Sequence, residues 1–183
     1  MKETTYPSRV TEQLKQVEKI TDKLGMSVDD GIKLLVAALR AYGFVTEDSC
    51  AGHEARRTNG PRVWISSNNS VKIKRDLKRL DQATVEAKEM GRQIEINGLH
   101  DRGHLLDLLS YFYEDRDTGE WMRIIVEPRG LGDSVLICQG TEVVDAIESD
   151  DLRQDWLRSA QAEFAAFTDF LVDRISKGHQ LQM

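Results

Sequence analysis

Between Gly43 and Ser66 the chain reads GFVTEDSCAGHEARRTNGPRVWIS, and at its centre the Cys50 thiol stands three positions before the His53 imidazole. Three chemistries use such a set. The first is anion binding: Thr46 and Ser49 supply hydroxyls, Gly52 lets backbone approach closely, and His53, Arg56 and Arg57 supply donors suited to phosphate or carboxylate. The second is metal binding. Cys50 and His53 have C-x2-H spacing, His100 and His104 have H-x3-H spacing, and the four together would make a one-thiolate, three-imidazole zinc site. The third is nucleophilic catalysis, with Cys50 as nucleophile, His53 as base, and positive surroundings that favour the thiolate.

Charge supports the first chemistry. From Cys50 to Leu80 there are eight basic residues against two acidic ones, a local +6 inside a chain of net -6. Lys74 and Arg75 lie near the start of the helix expected after Ser66, where the helix dipole also favours an anion. These two complete the expected ligand-binding set of Thr46, Ser49, Gly52, Arg56 and Arg57. An anionic small molecule or a nucleic acid is the implied partner.

The elements that must position this loop follow from periodicity. Val10, Leu14, Val17 and Leu24 have helical spacing ending at Gly25, and Ser27 opens a second helix that Gly43 stops. Residues 1–43 therefore read as a helical hairpin. A short strand at Phe44-Val45 and another at Val63–Ile65 flank the loop. Ser66–Ser70 then caps a helix running to Met90, with Ile73, Leu77, Leu80, Thr84, Ala87 and Met90 on one face. Gln93–Asn97 alternates as a strand, Asn97-Gly98 is a turn, and a further helix carries Leu105 to Phe112. Trp121–Glu127 and Ser134–Gln139 are strands of a hairpin joined by Pro128–Asp133. Ser149 caps a long last helix whose Trp156, Phe164, Phe167 and Leu171 share a face.

The expected fold is thus α/β (α+β). It is a five-stranded mixed sheet over residues 44–140 with two crossover helices, the N-terminal hairpin, and a C-terminal helix over 149–178 in one domain. In that fold the loop sits at one sheet end, beside the start of the basic helix. The chain of 183 residues, 40% apolar and 31% charged, has no apolar run able to span a bilayer, which implies no membrane partner. Two cysteines form no disulfide framework, so the cytoplasm is the expected compartment.

Gly43, Phe44, Thr46, Ser49, Cys50, Gly52 and His53 match a Gly-apolar-x-Thr-x-x-Ser-Cys-x-Gly-His loop followed by an apolar strand. This resembles a group of small bacterial and bacteriophage proteins of unassigned function. More distantly, the Thr46-x-x-Ser49-Cys50-x-Gly52 segment is similar to the Thr-x-x-Ser-Cys-Ser-Gly-Arg loop of the wybutosine-synthesising tRNA methyltransferase family, with His53 where that family has arginine. That likeness implies a nucleotide-like or RNA ligand, with S-adenosylmethionine as the family's cofactor. The expectation is binding of a phosphorylated or nucleotide-type ligand at Ser49–Arg57, with His53 or Cys50 as any reacting group. The alternative is a non-enzymatic nucleic-acid or protein interaction module, phage-related in origin, whose loop is structural or zinc-binding.

Overall fold

A computed structural model describes residues 6–21, 26–53, 60–67, 70–81 and 84–179. Helix α1 (Ser8–Val17) packs along α2 (Asp30–Tyr42) through Val10 and Val17, as a hairpin. The regular helix ends at Val17, where Ile20 N–H donates to the Val17 carbonyl, and Thr21 then bridges to Ser27. The expected stop at Gly25 lies outside the described residues. Helix α2 starts at Asp30 rather than at Ser27 and buries eight of its 13 residues, including Ile32, Leu35, Val36 and Leu39. It ends where Gly43 takes φ +112°, a left-handed value that costs glycine little, and the chain turns straight into a strand.

Among the described residues the sheet has four strands, all antiparallel, in the order β1-β2-β4-β3. They are β1 (Val45–Cys50), β2 (Arg62–Ser66), β3 (Ile124–Arg129) and β4 (Asp133–Cys138). The fifth strand expected at Gln93–Asn97 is helix instead, inside α4 (Val85–Tyr113). Ile94 and Ile96 do alternate, but only Ile94 is buried, and Ile96 is exposed. Residues two positions apart on a helix differ by about 200° in direction, so Ile94 and Ile96 fall on opposite sides, where a pleat would have put both on one face. The longer pattern of Ala87, Ile94, Leu105, Leu108, Leu109 and Phe112 decides for helix. With that strand gone the sheet is antiparallel rather than mixed, and no parallel crossover is required.

Conversely, the single helix expected from Ser70 to Met90 is two. Helix α3 (Ser70–Leu77) stops, and Thr84 caps α4 by accepting the Ala87 N–H at 3.1 Å. Ile73, Leu77 and Leu80 still meet Ala87, Met90 and Ile94, now across a helix pair. The hairpin β3–β4 is as expected, although Glu120–Met122 is a 3-10 turn and β3 begins at Ile124. Helix α5 (Asp150–Ser176) is capped by Ser149, and buries Phe164, Phe167 and Leu171, while Trp156 is half-buried. One sheet face, with Val63, Ile65, Leu136 and Cys138, joins α1, α2, α5 and the second half of α4 in the main core. Among the described residues no helix is long and apolar enough to cross a membrane.

Two glycines set the docking of α4 on the hairpin. A Cβ on Gly98 would stand 2.2 Å from the Gly132 carbonyl oxygen, and one on Gly132 would stand 2.4 Å from the Ile94 oxygen. Backbone touches backbone there, so Asn97-Gly98 is a contact point and not a turn. Gly98→Ala should therefore destabilise the fold by about 1–3 kcal/mol or more through overpacking. Gly103→Ala, on the same helix with open space around it, should stabilise by about 0.5–1 kcal/mol. Urea denaturation of the two variants checks both signs.

Cys138 lies in the core, where burial, and then the nearby Glu163 charge, push its thiol from 9.0 up to about 12. Burial also raises the Tyr113 phenol, whose oxygen accepts the Ile124 N–H. Both groups hold protons in the folded chain that the unfolded chain releases. Stability should consequently fall as pH rises above about 9, where the unfolded state starts to lose these protons. Cys138→Val should flatten the first part of that fall in a stability-versus-pH series.

Candidate functional site

Because β1 leaves α2 through the Gly43 turn, it runs back along the helix it has just left. Thr46 comes beside Arg40 near the turn, and the Cys50–Gly52 segment comes beside Asp29 at the helix start. Between them lies a cleft of about 720 Å³. Its walls include Ile20, Thr21 and Met26–Asp29, Val36 and Arg40 of α2, Thr46–Cys50 of β1, His53 and Arg62. Strand β1 carries a bulge: Thr46 pairs with Ile65 but Asp48 with Trp64, leaving Glu47 as the extra residue. In this register Thr46 and Ser49 lie opposite Ile65 and Val63, on the helix-packed face, which regular alternation forbids for residues three apart.

At the Asp29 end the backbone of the loop is held from two sides. Asp29 Oδ2 accepts the Ala51 N–H at 3.0 Å, and Gln161 of α5 donates to the Ala51 and Gly52 carbonyls at 3.0 and 3.3 Å. Gly52 takes φ +85°, and Gly31 leaves the first turn of α2 room against Ala51. Asp29 occupies the N-cap position of α2, yet its side chain caps no amide of that helix. It turns to the loop instead, where its Oδ2 lies 3.1 Å from His53 Nε2. Cys50 Sγ accepts the Gly52 N–H at 3.4 Å. The ligand atoms of Asp29, Cys50 and His53 all fall within 4.8 Å of one another. Cys50 is buried, whereas the Asp29 and His53 side chains are 32% and 45% exposed, so the cluster opens to solvent.

At the other end Arg40 donates from Nε to the Thr46 hydroxyl at 2.8 Å and from Nη2 to the Thr46 carbonyl at 3.3 Å. Burial pulls its guanidinium below the usual arginine range, and no carboxylate among the described residues offsets that cost. A half-buried cation therefore faces the cleft with only neutral partners among the described residues. Apart from Arg40, Arg62 and His53, the walls carry Asp29, Glu47 and Asp48, so the lining is of mixed charge.

Of the residues singled out from sequence, Thr46, Ser49, Cys50 and His53 line this cleft, and Gly52 shapes the loop beneath it. Arg56 and Arg57 lie outside the described residues. Lys74 and Arg75 do not line the cleft. Antiparallel pairing puts Cys50 beside Arg62, whereas α3 leaves β2 from the Ser66 end, a strand length away. Lys74 instead joins Ser66 and Asp133, tying α3 to the β3–β4 hairpin, and Arg75 is exposed. The loop and the start of the basic helix thus sit at opposite ends of the sheet, contrary to expectation. Nor do the four expected zinc ligands meet as one group: Cys50 and His53 converge with Asp29. His100 and His104 pair with each other, Nε2 to Nε2 at 3.3 Å, on α4, which packs on β3 and β4.

Three residues of the site escaped sequence reading. Asp29 looks like one of two adjacent capping acids, Gln161 is an ordinary surface residue of a long helix, and Arg40 interrupts an apolar run. Only Arg40 carried a usable signal, as the one charge in the stretch from Leu34 to Tyr42. Comparisons of the chain with protein-family models, with curated proteins and with solved structures give no match.

Proposed function

We propose that the cleft binds an anionic ligand of the phosphorylated or nucleotide type, with Arg40 as its principal anchor. The observation that carries this reading is the cation itself. Burying a guanidinium without a counter-charge costs free energy, and a bound anion would recover it through charge-assisted hydrogen bonds. The cleft volume of about 720 Å³ falls in the range of about 300–1,000 Å³ usual for small-molecule sites. Thr46 and Ser49 add hydroxyls on the same wall. Both cysteines are free, which suits the reducing cytoplasm in which we place the protein.

Calorimetric titration with pyrophosphate and with nucleoside monophosphates tests this. Arg40→Met should weaken the tightest of these by about 1.5–3 kcal/mol, the value of a hydrogen bond to a charged group. Its stability without ligand should stay within about 1 kcal/mol of the parent, because the lost Thr46 bonds are offset by relief of the buried charge. Retained affinity in Arg40→Met, or no affinity in the parent chain, contradicts the reading.

A nucleic-acid interaction module is the second reading, and a different surface favours it. Lys72, Arg75, Lys78 and Arg79 are exposed on α3 and the turn after it, and make no ion pair among the described residues. Under this reading affinity for a long RNA should fall steeply from about 50 to 200 mM salt. It should drop on Lys78→Glu and be indifferent to Arg40→Met. Salt-independent binding or no binding removes it.

A further inference from the structure

We propose that Asp29, Cys50 and His53 bind one zinc ion, with the fourth coordination position open to the cleft. Carboxylate, thiolate and imidazole are all zinc donors, and a thiolate biases a mixed site toward zinc over the harder divalent ions. Bonds of 2.0–2.1 Å in a tetrahedron place two oxygen or nitrogen ligands about 3.3 Å apart. Asp29 Oδ2 and His53 Nε2 stand 3.1 Å apart, close to that edge, and one ligand atom from each of Asp29, Cys50 and His53 lies within 4.8 Å of the other two.

A hydrogen-bonded relay of Cys, His and Asp is the competing use of the same residues. In a relay the imidazole lies between its partners, each at one ring nitrogen, which separates carboxylate oxygen and sulfur by about 7 Å. Here the three ligand atoms form a triangle with no side above 4.8 Å. Convergence on a point is what an ion requires.

The surroundings fit as well. Asp29 forgoes capping of α2, and its Oδ2 is fixed by the Ala51 N–H, as outer-shell partners fix metal-binding carboxylates. Gln161 holds the loop backbone, and the Gly52 N–H donates to the Cys50 sulfur. With Cys50 buried, and Asp29 and His53 half open on the cleft wall, the unfilled side of the triangle faces the cleft. Three protein ligands with an open position is the coordination of catalytic rather than structural zinc.

The inference concerns the opposite end of the cleft from Arg40 and is independent of the anion. The full chain, stripped with a chelator, is titrated with cobalt(II) and then with zinc. One equivalent of cobalt should give a thiolate-to-metal charge-transfer band and intense visible bands of a tetrahedral ion, and one equivalent of zinc should abolish both. His53→Ala, at an exposed position and checked for native circular dichroism, should weaken zinc by more than the about 10–100-fold that loss of an orienting partner costs. Cys50→Ser should lose the charge-transfer band, Cys138→Ser should keep it, and Arg40→Met should keep the metal while losing phosphate affinity. No stoichiometric band in the parent chain overturns the proposal. So does a band that survives His53→Ala, which would mark an adventitious thiolate, or one that follows Cys138.

Discussion

Burial of α2 on every side is the constraint on which the rest depends. Ile32, Leu35, Val36 and Leu39 are covered on one face, and Ala37, Ala38 and Ala41 on the others, so α1, α5 and β1 wrap the helix together. Its two ends then become fixed points, with Asp29 at one and Arg40 at the other, roughly 16 Å apart at 1.5 Å per residue. Gly43 lets β1 return along the same helix, so every side chain on the inner wall of β1 is referred to one of those ends. The cleft is the space that remains beside the helix.

Both ends break a local rule of folding, and in opposite ways. Asp29 stands where a capping side chain would stabilise the helix, and turns away from it. Arg40 keeps a charge in a stretch that is largely buried, with only Thr46 to satisfy it among the described residues. Natural sequences tend to tolerate such exceptions at sites of function, where local and global preferences diverge. Two other charges in the fold are paired: Glu163 meets Arg116 at 2.8 Å, and Lys74 meets Asp133.

Much of the helical framework was legible because its signals are local. Gly43, Ser149 and the apolar face of α5 mark boundaries and burial without reference to the rest of the chain. The alternation at Gln93–Asn97 misled because five residues are too few to fix a period, and the close contact of Gly98 with Gly132 joins positions 34 apart in sequence. The same non-locality hid the site. Cys50 and His53 were conspicuous as residue types, but their third neighbour is Asp29, brought in by the α2–β1 reversal. Pairing direction, which periodicity does not encode, decided that Lys74 belongs to the hairpin and not to the loop.

Asp29, Cys50 and His53, brought together on the wall of this cleft, are the ligand set proposed for zinc. X-ray absorption at the zinc edge on the zinc-loaded full chain tests it most directly. The account predicts one sulfur at about 2.3 Å with the remaining ligands, nitrogen and oxygen, at about 2.0–2.1 Å. A first shell of oxygen and nitrogen alone, or one holding two sulfurs, would contradict it.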